Sequence, residues 1–144
     1  MKRLEKILLY VDGSEEAQHA LRAAMHLSTI SGATIIAVNV VSRTVVTQMT
    51  RHGGATMAEV EVELEENGWR YLYAAEDEAK NIGAHIVVLQ ETGYPEEVLA
   101  RLAAEYGVDM LIVGVSAHAV RDTTLSRFFL HIVENAPCAV LVVR

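Results

Sequence analysis

The sequence has 144 residues but only one cysteine and two prolines. A single cysteine, Cys138, cannot form an internal disulfide, and its place just before an apolar run is typical of a thiol that packs as a small hydrophobic side chain. The scarcity of proline, together with 51% hydrophobic residues, argues against a disordered chain. The length and composition therefore predict one globular domain spanning residues 1–144.

The sequence also lacks an excess of positive charge and any long apolar run. The formal net charge is −7 and the isoelectric point is near 5.3, which opposes binding to nucleic acid. The apolar run from Ile7 to Val11 ends at Asp12 and is too short for a membrane span or a signal sequence. We therefore expect a cytoplasmic protein whose partners are neither nucleic acids nor membranes.

Motifs of several enzyme classes are missing as well. The sequence has no Cys-x-x-Cys and no Gly-x-Ser-x-Gly, and residues 114–118 approach the second motif without its final glycine. The predicted third strand ends at residues 90–92 without the aspartate of a receiver domain. No histidine pair has metal-ligand spacing on one helix with a third partner, so we expect no metal site. The expectation is a protein that is not an enzyme, with slow ATP hydrolysis conceivable only if ATP binds.

Strand and helix patterns alternate along the chain. Short apolar runs typical of buried strands span residues 7–11, 34–41, 85–91, 110–113 and 139–143. Apolar residues at helical spacing follow the first four runs, over residues 14–31, 58–83, 93–107 and 125–136. This alternation predicts an α/β fold: a single open, doubly wound, parallel five-stranded sheet with helices on both faces.

Two stretches are less regular. Residues 42–57 mix β-branched, basic and glycine residues without a period, and Gly53-Gly54 predicts a mobile loop that could cover the mouth of a site. In residues 58–64, apolar residues alternate with glutamates as in a half-exposed strand. Because the chain must cross over before the next parallel strand, we predict that residues 58–83 are mostly helical.

The loops after the first and fourth strands are the candidate site, because ligands bind such sheets beyond the carboxyl ends of the strands. Asp12 follows the first strand and could hydrogen-bond a ribose or hold a metal, but Asp-Gly-Ser is also a plain turn before a helix. The fourth strand is followed by Gly114 and polar residues. Loops that wrap phosphates usually carry several glycines, whereas this loop carries one.

Three segments, "ILLYVDGSEEAQHAL", "GYPEEVLARLAAEYGVDMLIVG" and "NAPCAVLVV", resemble the universal stress protein family across essentially the whole chain. The resemblance implies the strand order 3-2-1-4-5 and a homodimer formed through the last strand. It also implies that an adenine nucleotide is a candidate ligand, since many members bind ATP through Gly-x-x-Gly, nine residues, and then Gly-Ser or Gly-Thr.

The resemblance assigns roles to individual positions. Asp12 matches the aspartate that contacts the ribose side, Val40 matches the position whose backbone meets adenine, and Gly114 matches the first glycine. The second glycine position is Ala117. Counted forward, the third glycine falls on Arg127; counted back from "NAPC", the Gly-Ser pair falls on Ser126 and Arg127, and neither register supplies a glycine. The glycine motif is therefore degraded, and a Cβ at position 117 would disfavour any positive φ there.

Side chains around this loop offer two interpretations. Ser116 and Ser126 could donate hydrogen bonds to a phosphate, and Arg127 could offset its charge, aided by the dipole of the next helix. Alternatively, Asp122 or Thr123 simply caps that helix and the basic residues are solvated, which is the commoner use of such residues. We therefore expect weak or absent ATP binding, and we expect AMP or a similar ligand to bind comparatively better than in relatives that carry all the glycines.

The last strand predicts the assembly. In the order 3-2-1-4-5 it lies at an edge of the sheet, and it is apolar, without proline or charge. Such an edge invites pairing with a second copy. The predicted dimer interface is Val140, Leu141, Val142 and Val143. The sequence thus favours a homodimeric stress-response module with an adenine-nucleotide-type cleft; the alternative is a nucleotide-independent interaction dimer of the same family.

Overall fold

The structure is a computed structural model that describes residues 3–116 and 127–144 in full and the backbone alone of residues 123–126. Over this part of the chain the strands are β1 (Lys6–Tyr10), β2 (Thr34–Ser42), β3 (His85–Gly93), β4 (Met110–Gly114) and β5 (Ala139–Val143). The helices are α1 (Glu15–Ser31), α2 (Arg43–Gly53), α3 (Met57–Asn81), α4 (Pro95–Glu105) and α5 (Thr123–Asn135).

The strands form one parallel sheet with the order β3-β2-β1-β4-β5, which confirms the predicted fold class and strand order. Central β1 pairs with β2 on one side and with β4 on the other, so that Leu8 lies opposite both Ile36 and Leu111. The order of connection reverses between β1 and β4. The carboxyl ends of these two strands therefore flank the crevice in which ligands of this architecture bind.

Each face of the sheet carries its own hydrophobic core. Alternate residues of a strand point to opposite faces, so Ile7 and Leu9 belong to the core under α1 and α3, whereas Leu8 belongs to the core under α4 and α5. All three side chains have no exposed surface. Helices therefore cover both faces, which explains why the strands are apolar runs without strict alternation.

Helix α1 begins and ends where the sequence predicts. Ser14 is its N-cap, with its hydroxyl accepting a hydrogen bond from the amide of Ala17 at 3.1 Å. Gly32 ends the helix in the left-handed conformation (φ 79°), and its amide donates to the carbonyl of Ser28 at 2.8 Å. The N-terminus of α1 is thereby fixed directly after β1, at the edge of the crevice.

The prediction of a mobile loop over residues 42–57 is wrong. The structure has helix α2 there, with Ser42 as N-cap and Gly54 in the left-handed conformation (φ 69°) after its last turn. The glycine pair thus ends a helix instead of marking a flexible segment. Val46 is buried against Val41 and Val60, and this small satellite core holds α2 against α3.

Helix α3 confirms the helical interpretation of residues 58–83. Thr56 caps it by accepting a hydrogen bond from the amide of Glu59 at 3.2 Å. The alternating residues at its start do not share a face, since Val60 is 2% exposed and Val62 is 52% exposed. Among the described residues, no helix combines the length and the apolar composition that a membrane span requires.

Candidate functional site

A cleft of about 690 Å³ opens at the carboxyl ends of the strands. It lies beside the β1–α1 turn, the end of β4 and the starts of α2 and α4, and the first half of α5 closes one side. Its volume falls within the range of small-molecule sites, roughly 300–1,000 Å³. The cleft is therefore the candidate functional site.

The β1–α1 turn places Asp12 in this cleft. The Asp12 Oδ1 atom accepts hydrogen bonds from the amide of Ser14 at 3.0 Å and from its hydroxyl at 2.6 Å. Gly13 lies between them with φ 80°, and a Cβ there would collide with the ring of Tyr71. The carboxylate thus forms the turn through one oxygen while the residue lines the cleft. The two roles that the sequence suggested for Asp12 are compatible.

A hydrogen-bonded pair of side chains, Asn39 and Gln90, supports this turn from the interior of the sheet, and we call this pair the relay. Asn39, 6% exposed, donates from Nδ2 to the carbonyl of Val11 at 2.9 Å, just before Asp12. Its Oδ1 atom accepts from Gln90 Nε2 at 3.2 Å, and the same nitrogen donates to the carbonyl of Glu65 at 2.9 Å. The relay therefore connects β1, β2, β3 and α3 through side-chain amides.

Gly114 is required for packing at the end of β4. A Cβ on Gly114 would collide with the backbone carbonyl of Glu16 in the first turn of α1. Gly114 has no positive φ, so the glycine serves close approach and not an unusual backbone conformation. The same contact brings the start of α1 against the start of the loop that follows β4.

Aromatic rings form the floor of the cleft. Tyr10, the last residue of β1, lies 5.9 Å from Phe128 of α5 between ring centroids, and Phe128 meets Phe129 edge to face at 5.2 Å. Burial raises the pKa of the Tyr10 phenol well above its usual range, and the charges of Asp12 and Glu96 raise it further. The phenol therefore stays protonated and can donate a hydrogen bond at neutral pH.

The structure brings together four of the residues assigned to nucleotide binding. These four residues, Asp12, Gly114, Ser116 and Arg127, line the cleft. The side chain of Val40 is 7% exposed and packs in the core beneath α4 and α5.

The remaining assigned positions are only partly described. Ala117 lies outside the described residues. Ser126 lies in α5 (Thr123–Asn135), of which only the backbone is described at that position. The degraded glycine motif therefore remains a prediction from the sequence.

Several residues that line the cleft lie in the segment for which the sequence predicts a loop. Helix α2 contributes Thr44, Val45 and Gln48, and its N-cap Ser42 lines the cleft as well. An N-cap serine at one end and glycines at the other were the available signal for this helix. Tyr10 was not recognised as a cleft residue because it lies in an apolar run, although period-two alternation places it on the same face as Asp12.

Among the described residues, neither a metal-binding cluster nor the single cysteine indicates further reactive chemistry. Over the described residues, no group of three or more His, Cys, Asp or Glu side chains is arranged to hold a metal ion. Cys138 is half-buried beside the core under α4 and α5, and burial raises the pKa of its thiol. A thiol of raised pKa is a poor nucleophile, in line with the packing role expected from the sequence.

Comparisons with known proteins agree with the fold. The model of the universal stress protein family matches residues 3–144. The chain is 26% identical to universal stress protein YxiE of Bacillus subtilis over 145 residues, covering 96% of this chain and 98% of that protein. It is 30% identical to putative universal stress protein SH1215 of Staphylococcus haemolyticus over 154 residues, covering 100% of this chain and 87% of that protein.

Solved structures of the same fold include proteins with bound nucleotides. A Burkholderia pseudomallei protein of the universal stress protein family is 27% identical (TM-score 0.74, covering 99% of this chain and 97% of that chain). A universal stress protein in complex with cAMP is 19% identical (TM-score 0.68, 99% and 98%). An Arabidopsis thaliana universal stress protein family protein with AMP bound is 18% identical (TM-score 0.67, 96% and 90%).

Proposed function

The chain belongs to the universal stress protein family, and on this premise we propose that it is a homodimeric stress-response module whose cleft binds an adenine nucleotide with a weakened grip on the triphosphate. In this proposal the protein acts in the cytoplasm by binding, without catalysing a reaction. AMP or a similar monophosphate is the favoured ligand, and ATP binds weakly or not at all.

The observation that carries the proposal is the convergence of residues from separate parts of the sequence on one cleft. Asp12 follows β1, Ser116 follows β4 and Phe128 lies in α5, yet all three line the same cavity. Such a cavity offers a carboxylate for ribose hydroxyls and aromatic rings for a planar base. Two proteins of the same fold, solved with cAMP and with AMP, support an adenine nucleotide as the ligand class.

The weakened grip on the triphosphate follows from the sequence of the loop after β4. Ala117 stands where a complete motif has its second glycine, and the pair Ser126-Arg127 stands where it has Gly-Ser or Gly-Thr. Side chains at these positions keep backbone N–H groups from converging on an anion. Binding would then depend on the adenosine half of the ligand, which does not need these glycines.

The homodimer is supported by the position of β5 at the sheet edge. Its only strand neighbour in the described sheet is β4, so its other side has unpaired backbone groups. Val142 is 45% exposed, and Leu130 and Val133 of the adjacent α5 are 58% and 68% exposed. Antiparallel pairing of two β5 strands would join these apolar surfaces and form a ten-stranded sheet.

Thermal unfolding with ATP, AMP and cAMP tests the proposed ligand class. A ligand that binds only the native state raises the unfolding temperature, and the stabilisation grows with the logarithm of the ligand concentration over its Kd. We expect larger shifts with AMP and cAMP than with ATP, and smaller shifts in Asp12→Ala. The matched control, Asp77→Ala, changes an aspartate of α3 that does not line the cleft. If none of the three nucleotides shifts the native protein, the function is that of a nucleotide-independent interaction dimer.

A further inference from the structure

Two glutamates line the cleft from the first turns of two helices. Glu16 is the second residue of α1 and Glu96 is the second residue of α4, and both residues are half-buried. With Asp12 they give the described lining three carboxylates, whereas Arg127 is its only positive side chain. The described part of the cleft is therefore negatively charged.

This arrangement is unfavourable for a phosphate at either helix. A helix N-terminus normally attracts anions through its free N–H groups and its dipole. The first turns of α1 and α4 carry glutamates, and their negative charge already offsets the positive end of each helix dipole. At α4 the N-terminus also offers one donor fewer to an anion, since Pro95 has no N–H.

The pKa of Tyr10, at the floor of the cleft, reflects, besides burial, the charges of two of these acidic residues, Asp12 and Glu96. After burial, the main causes that raise the pKa of Tyr10 are the charges of Asp12 and Glu96. A group that disfavours a negative charge on the phenol also disfavours the charge of a bound phosphate nearby. The negative charge of Glu96 therefore affects the electrostatic potential inside the cavity and not only in the solvent outside it.

We propose that Glu16 and Glu96 are specificity-determining residues that select adenosine and its monophosphates against ADP and ATP. The inference rests on the proposed function, since it concerns the same cleft, but it adds a cause that is independent of the missing glycines. ATP carries about two more negative charges than AMP, and two added charges about 8 Å from one carboxylate lower the affinity about fivefold in water. Two carboxylates facing the phosphates multiply this effect.

The test is calorimetric titration of the full chain with adenosine, AMP, ADP and ATP, without divalent metal. The test variant is Glu16→Gln/Glu96→Gln. The control is Glu15→Gln/Glu97→Gln, which changes the adjacent, exposed residues of the same two first turns and does not alter the cleft lining. Both variants change the net charge and the helix termini equally, and circular dichroism checks that both are folded.

We expect the native chain to bind ADP and ATP more weakly than adenosine and AMP, and to bind ATP the most weakly of the four. In the test variant the affinity for ATP rises about tenfold or more, and the affinity for adenosine changes much less. Added salt reduces the difference between the affinities of the native chain for AMP and for ATP, because it screens the repulsion.

Two results would overturn the inference while leaving the proposed function in place. One is an unchanged ratio of ATP to adenosine affinity in the test variant, and the other is an equal rise in the control. A different result, no binding of any of the four ligands by the native chain or by either variant, would overturn the proposed function itself.

Discussion

The side chain of Asn39 donates a 2.9 Å hydrogen bond to the main-chain carbonyl of Val11, directly before the aspartate of the cleft. Asn39 is buried in the middle of β2, where an unsatisfied amide would be costly. The hydrogen bond thus ties the position of the β1–α1 turn to the interior of the sheet. It makes the geometry of Asp12 depend on residues that never touch a ligand.

Replacement of Asn39 by alanine should destabilise the protein and loosen the turn. The change leaves the carbonyl of Val11 and the amide of Gln90 without this partner, so the free energy of unfolding should fall by about 2 kcal/mol. Urea denaturation measures this loss. Asn81→Ala, at the exposed end of α3, is the control and should change stability by less than about 0.5 kcal/mol. Equal effects of the two substitutions would contradict a structural role for the relay.

Gly68 of α3 should not tolerate a methyl group. A Cβ there would collide with the Asn39 amide and approach Gln90 Nε2, both of which are held by hydrogen bonds. We expect Gly68→Ala to lower the free energy of unfolding by about 2 kcal/mol. In Gly53→Ala of α2 the new Cβ meets no atom within 4 Å, and helix propensity should raise stability by up to about 1 kcal/mol. Thermal unfolding of the pair would contradict the packing if both variants were equally stable.

Substitution of Gly114 separates packing from ligand binding. Since a Cβ would meet the carbonyl of Glu16, Gly114→Ala should destabilise the ligand-free protein by about 2 kcal/mol as the first turn of α1 moves. Denaturation without any nucleotide is the measurement. A variant with native stability that has lost only ligand affinity would show instead that Gly114 acts chiefly in a ligand-binding loop.

Asp109 should contribute a pH-dependent part of the stability. Its carboxylate accepts hydrogen bonds from the amides of Glu5 at 2.8 Å and Lys6 at 3.0 Å, and these bonds lower its pKa. A lowered pKa in the folded state means that the contribution is present above the unfolded-state value, about 4, and is lost as the pH falls through the folded-state value. Asp109→Asn should therefore be less stable than the native protein at neutral pH.

The difference between Asp109→Asn and the native protein should shrink in acid. Unfolding measured in urea from neutral pH to below about pH 3 checks the trend, since the native carboxylate is progressively protonated over that range. A constant difference at every pH would show that the charge of Asp109 does not matter.

The dimer prediction can be tested at one backbone amide. The carbonyl of Val143 accepts from the amide of Val115 on the β4 side, so the backbone of the preceding residue, Val142, points to the open edge. Val142→Pro should then remove an N–H from the dimer contact and leave the pairing with β4 intact. We expect a dimer for the native chain and for the control, Val142→Ala, and a folded monomer for Val142→Pro. Sedimentation at micromolar concentration that finds the native chain monomeric would refute the interface.

Much of the fold was predictable because its signals are local. The buried strands are continuous apolar runs, and Ser14 and Gly32 mark the ends of α1 by their own chemistry. Helix α2 was missed because its stability depends on Val46 packing against Val60 of another helix. A pattern of eleven residues with few apolar positions does not show a contact of that kind.

The candidate site was predictable to the extent that it follows from topology. Asp12 lies two residues after the end of β1, and Gly114 is the last residue of β4. The switch point brings such strand ends together. Glu16 and Glu96 gave no comparable signal, since acidic residues in a first turn are usually explained by the helix dipole alone. Their approach to a common cavity depends on how α1 and α4 sit on the sheet, which the sequence pattern does not specify.

Equilibrium dialysis of labelled AMP, with unlabelled AMP and ATP as competitors, is the decisive test of an adenine-nucleotide cleft with a weakened triphosphate grip. We expect the native chain to retain AMP, Asp12→Ala to retain much less, and ATP to displace the label only at about tenfold higher concentration than AMP does. Displacement by ATP at lower concentration than AMP would contradict the weakened triphosphate grip. Failure of the native chain to retain AMP would contradict the adenine-nucleotide cleft.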